Sequence, residues 1–145
     1  MASPSSPAFL DDCLDVLLRA AFIDEPDAVG RIIGPGRPLE SFGARAHLAY
    51  CIGLLGLYQD INQIREIRND FAHRQPTNFD TGEIRCKCSR LRCIDVLVPD
   101  GDCTPRDRFI VNVVLIANHL VVAAGQQPHA IPVVPFSENG VLRLK

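Results

Sequence analysis

Residues 57–74 read Leu-Tyr-Gln-Asp-Ile-Asn-Gln-Ile-Arg-Glu-Ile-Arg-Asn-Asp-Phe-Ala-His-Arg. Ile61, Ile64, Ile67, Arg68 and Phe71 fall along one stripe when the segment is wound as a helix. The spacing predicts a helix from about Leu57 to Arg74. Pro76 limits it, because the residue before a proline is pushed out of the helical region. An aliphatic stripe of this kind needs other helices to cover it, and the flanking sequence supplies them.

Upstream, Leu10, Leu14, Leu17 and Leu18 predict a helix from about Ala8 to Phe22, with acids in its early turns. A short helix is expected over Pro26–Ile33, followed by a stiff Gly34-Pro-Gly-Arg-Pro38 turn. Ser41 is placed to cap a third helix that runs to Gly56, with small residues that permit close approach. Downstream, a fifth helix is expected from Asp80 to Leu97. Thr104-Pro-Arg-Asp107 is a helix start, with Thr104 capping, Pro105 first and an acid third. The sixth helix, to about Ala124, is almost wholly apolar and is expected to be buried and central. The expected fold is therefore all-α: one helical bundle of about six helices over residues 8–125. A short disordered lead over 1–7 and an extended, proline-containing tail over 126–145 flank it, and Val133-Val134 is a candidate strand.

A chain of 145 residues, 47% hydrophobic, is long enough for one self-sufficient core. The net charge of −2 argues against autonomous duplex DNA binding, which needs a basic excess. The sequence has no uninterrupted run of roughly 18–20 apolar residues of the kind that crosses a membrane. Nor does the N-terminus carry the basic and apolar regions of a signal peptide. A cytoplasmic protein with six reduced cysteines is the expectation.

Within the fourth helix, Arg68-Asn-Asp-Phe-Ala-His73 gathers a cation, a carboxamide, a carboxylate and an imidazole. Helix geometry sets Glu66, Asn69, Asp70 and His73 on one face. Arg68 and His73 are roughly 140° apart around the helix. They do not converge easily within one chain, but a two-fold axis would bring each beside its symmetry copy. Three readings stay open: a polar lock, with His73 at the favourable C-terminal end of the dipole; a catalytic cluster; and a surface for a ligand or partner.

Two resemblances bear on these readings. The stretch from about Leu17 to Glu83, with Arg37-Pro-Leu-Glu-Ser-Phe-Gly-Ala-Arg45, Leu48-Ala-Tyr50, Gly53-Leu-Leu and Ile64 to His73, resembles the MltR (mannitol operon repressor) family. That resemblance implies a helical cytoplasmic regulator or co-repressor that acts through a protein partner and needs no chemistry. Arg68-Asn69-x-x-x-His73 is also similar to the motif of the HEPN superfamily. There the pattern implies a metal-independent endoribonuclease at a homodimer interface: His73 as general acid/base, Arg68 on the phosphorane charge, Asn69 orienting either group. Imidazole and guanidinium suit those tasks. RNA is the partner in that case, and neither reading calls for a cofactor. Residues 86–145 match nothing in the MltR pattern.

Further candidate binding residues are Arg45, Asp70 and the basic stretch Arg85, Lys87, Arg90 and Arg92, the last four within eight positions and otherwise a solvated helix face. Cys86-x-Cys88-x4-Cys93-x9-Cys103 lacks the Cys-x2-Cys spacing of zinc knuckles. On one continuous helix Cys88 would also lie about 200° from Cys86. No metal is expected. Cys13 and Cys51 read as core residues, and His119 as a core or interface histidine.

Overall fold

In the computed structural model, residues 7–74, 77–97 and 103–127 are described. Helix α1 (Pro7–Ala21) lies along α6 (Pro105–Gln126) in the most extensive helix pair of the fold. Leu10, Leu14, Leu17 and Leu18 of α1 are completely buried, and α6 answers with Phe109, Val113, Ile116, Ala117 and Leu120. Each set follows the three-to-four spacing of a single helix stripe. Burying a leucine of this kind stabilises the fold by about 1.5–3 kcal/mol relative to leaving it in water.

Around this pair stand α2 (Pro26–Gly30), α3 (Phe42–Cys51), α4 (Tyr58–His73) and α5 (Gly82–Ser89), with a 3₁₀ turn over Cys93–Val96. The described residues contain no strand, and the fold is all-α as the apolar spacing predicts. Val133-Val134 and the tail from 128 lie outside the described residues, as do residues 1–6. The expected caps are in place. Ser41 Oγ accepts the Ala44 N–H at 3.1 Å, and Thr104 Oγ1 accepts that of Asp107 at 3.1 Å. Ile61, Ile64 and Ile67 of α4 are fully covered.

Three boundaries differ most from expectation. α2 stops at Gly30. α3 ends at Cys51 and not near Gly56, because Gly53 takes the left-handed conformation (φ 79°). Leu54 N–H then bonds Ala49 O at 2.9 Å and Gly53 N–H bonds Tyr50 O at 3.0 Å. That pair of bonds is the Schellman closure of a helix end.

The third difference is the largest. The helix expected over 80–97 breaks after Ser89, and the backbone of residues 91–94 is held by side chains of other helices. The Asp60 carboxylate of α4 accepts the Arg92 N–H at 3.0 and 3.2 Å and the Cys93 N–H at 2.8 Å. Asn112 of α6 accepts the Ile94 N–H at 3.2 Å, and Arg108 donates to the Leu91 carbonyl at 2.7 Å. Leu91 and Ile94 are thereby turned into the core.

α6 is central but buried on one side only, since Val114, Val121 and Val122 are exposed. Among the described residues it is also the one helix long and apolar enough to cross a bilayer by length and composition, a property that core helices share. Counting uninterrupted apolar runs passes over it because Asn112, Asn118 and His119 break the run.

Replacing Asp60 by alanine leaves two backbone amides without their acceptor. Urea unfolding is expected to show a loss of about 1–3 kcal/mol, with a smaller loss for Asp60→Asn, which keeps one acceptor oxygen. An alanine variant within about 0.5 kcal/mol of wild type, the usual range for surface changes, would contradict this account.

Candidate functional site

The Arg68–His73 cluster divides between interior and solvent. Asp70 is buried, with 8% of its surface accessible. Its carboxylate takes the ammonium of Lys87 from α5 and lies 3.4 Å from Arg74 Nε. Arg74 and Lys87 both also pair with Glu83, the latter at 3.8 Å, which closes a four-membered ionic ring between α4 and α5. The hydrogen bond from Lys87 holds the Asp70 carboxyl below its ordinary range, against the opposing effect of burial, and the charges of Lys87 and Arg74 add to it. Partial desolvation is what makes such a pair stronger than an open surface ion pair.

Arg68, Asn69 and His73 take no part in that ring. All three are exposed, and none has a side-chain hydrogen bond or ion pair with another described residue. His73 is the last residue of α4. The helix stops there because Arg74 takes an extended conformation (φ −113°, ψ 120°). The cavities of about 480, 290 and 400 Å³ among the described residues are lined by other side chains.

Arg45 is committed elsewhere. It donates to Asp11 at 2.8 Å and to the Leu39 carbonyl at 2.9 Å, tying α3 to α1 and to the loop before it. Ser41, Gly34 and Gly36 shape that loop, the glycines with φ of 143° and 69°. The basic stretch splits as well. Lys87 turns inward to Asp70, whereas Arg85, Arg90 and Arg92 are exposed. Arg92 lies 3.6 Å from Asp95, which also meets Arg108 at 3.1 Å.

Sequence reasoning missed a cleft of about 480 Å³ between the start of α4, the 3₁₀ turn and α6. Leu57, Leu97 and Leu115 give it apolar walls, and Arg92, Cys93 and His119 reach it. His119 is exposed and faces this cleft, so it is not a core histidine. Cys51 is likewise exposed at the end of α3 and not in the core, whereas Cys13 is buried as expected. No local pattern could mark the cleft, because its walls come from residues 57–60, 92–97 and 115–119.

The cysteines differ sharply in setting. Burial pushes the Cys88 thiol up to about 11, and burial together with the neighbouring Asp60 pushes Cys93 up to about 12. Both stay protonated at neutral pH, the form that neither attacks nor ligates. Cys86 is exposed on α5. Among the described residues, no group of three or more His, Cys, Asp or Glu side chains is placed to hold a metal ion.

A carboxyl with a folded pKa below its unfolded one adds stability that is complete above the unfolded value and vanishes as pH falls through the folded value. For Asp70 the loss therefore begins near the ordinary 3.8 and runs to more acid pH. Unfolding free energy measured against pH should fall across that window in wild type. Asp70→Asn should start lower at neutral pH and fall less steeply. Parallel curves for the two proteins would remove Asp70 from the account.

Comparison with protein-family models, curated proteins and solved structures gives no match to this chain.

Proposed function

We propose that this protein is a helical, MltR-like regulator that acts as a cytoplasmic homodimer through protein contacts, with the Arg68, Asn69 and His73 surface of α4 as its contact face. The observation that supports this reading is the division of the cluster. Asp70 fastens α4 to α5 from beneath, and three polar groups are left exposed on open surface without internal partners. A partner's acidic or polar groups find rigidly mounted donors there. A water-excluding pocket, which enclosed chemistry generally uses, is not lined by these residues in the larger cavities described.

The second reading is a HEPN-type, metal-independent endoribonuclease, favoured by the same exposure. Its three groups are open to solvent, and a two-fold contact along α4 would set Arg68 of one protomer near His73 of the next. Imidazole would exchange the proton and guanidinium would meet the phosphate charge.

RNA cleavage in EDTA by wild type and His73→Ala, matched in unfolding midpoint and oligomeric state, separates the two. Under the regulator reading neither protein cleaves, and association with a transcription component is lost in Arg68→Ala. Cleavage by wild type that the variant lacks would establish the nuclease and displace the regulator.

A further inference from the structure

We infer that the cleft at the start of α4 is a binding site for a small organic anion with an aliphatic body. Its apolar part, about 480 Å³, has the size of ordinary small-molecule pockets. Leu57, Leu97 and Leu115 form its walls. Leu97 is 61% exposed, so its side chain is open to a ligand in the cleft. No phenyl, phenol or indole ring lines this part among the described residues, so a chain fits it better than a stacked aromatic group.

A second hollow of about 400 Å³ adjoins it and shares Gln59, Asp60 and Arg92. This half is polar: Tyr58, Asn62, Gln63 and Arg90 complete it. Arg90 makes no ion pair with a described residue, and the buried amide nitrogen of Gln63 has no hydrogen-bond partner there. A buried donor without an acceptor is costly. Two guanidiniums and several carboxamides beside an aliphatic cleft define the ligand: an anionic head on the polar side and an alkyl body on the other.

Two acids stand nearby. Asp60 spends its oxygens on the amides of Arg92 and Cys93, and Asp95 is shared between Arg92 and Arg108. Neither forms an ion pair with Arg90. The site lies at the opposite end of α4 from Arg68 and His73 and does not depend on the function proposed for them.

Calorimetric titration of the full chain with octanoate, octyl phosphate, 1-octanol and inorganic phosphate tests the assignment. Saturable binding of octanoate or octyl phosphate is expected, and the tighter of the two identifies the head group. Affinity should fall about tenfold or more in an Arg90→Ala/Arg92→Ala variant, which removes both cations of the polar half. Both arginines are on the surface, so an unchanged unfolding midpoint confirms that the variant is folded. Leu97→Ser should weaken the alkyl ligands. The proposal is overturned by octanol binding as tightly as octanoate, by inorganic phosphate binding as tightly as octyl phosphate, by wild-type affinity in the double variant, or by no saturable binding.

Discussion

The fold turns on one carboxylate that crosses between helices. Asp60 sits in the first turn of α4, yet it spends its oxygens on the backbone of residues 92 and 93, more than thirty positions away in the chain. An acid in a first helical turn ordinarily answers the dipole of its own helix. Here it caps another segment, and Asn112 and Arg108 complete the grip from α6. Asn112 is completely buried, and its amide also donates to the Arg108 carbonyl at 2.7 Å. These buried polar groups are satisfied as a set. Removing one exposes the others to the full cost of desolvation. The grip fixes where α5 ends, turns Leu91 and Ile94 inward, and leaves the cleft between α4 and α6.

At the other end of α4 the same economy appears in a different form. The cluster that begins at Arg68 contains both a lock and an exposed surface, assigned to different residues. Asp70 points toward α5 and meets Lys87, while Asn69, one residue earlier and about 100° around the helix, points to solvent. An anchored helix end is a good place for exposed polar groups, because side chains on a rigid element keep their directions. The ring formed by Asp70, Arg74, Glu83 and Lys87 gives that rigidity without occupying Arg68, Asn69 or His73.

How far the chain could be read depended on whether the forces involved were local. α1, α4 and α6 declare themselves by apolar spacing, and Ser41 and Thr104 by capping chemistry within three residues. Those features hold because nothing distant competes with them. The segment after Ser89 carries enough aliphatic residues to read as a continued helix, but its backbone donors are claimed by Asp60 and Asn112. That contest is settled by tertiary partners and leaves no trace in local spacing. The pairing of Lys87 with Asp70 was hidden for the same reason. The basic stretch looks like a uniform solvated face, and only the packing of α5 on α4 turns one of its cations inward. Of the two settings expected for His119, the core is excluded although its neighbours are apolar, because the side of α6 on which it lies faces a cleft.

The two ends of α4 are joined by a single helix of 16 residues, about 24 Å long at 1.5 Å per residue. Its buried stripe of Ile61, Ile64 and Ile67 is continuous with the core, so the helix has little freedom to bend. It is pinned at Asp60 to the turn before α6 and at Asp70 to α5. The tethers differ in kind. Asp60 holds backbone amides in fixed positions, whereas Asp70 holds the end of a flexible lysine chain. Arg74 and Glu83 close the ring around that lysine, so both ends of α4 are held.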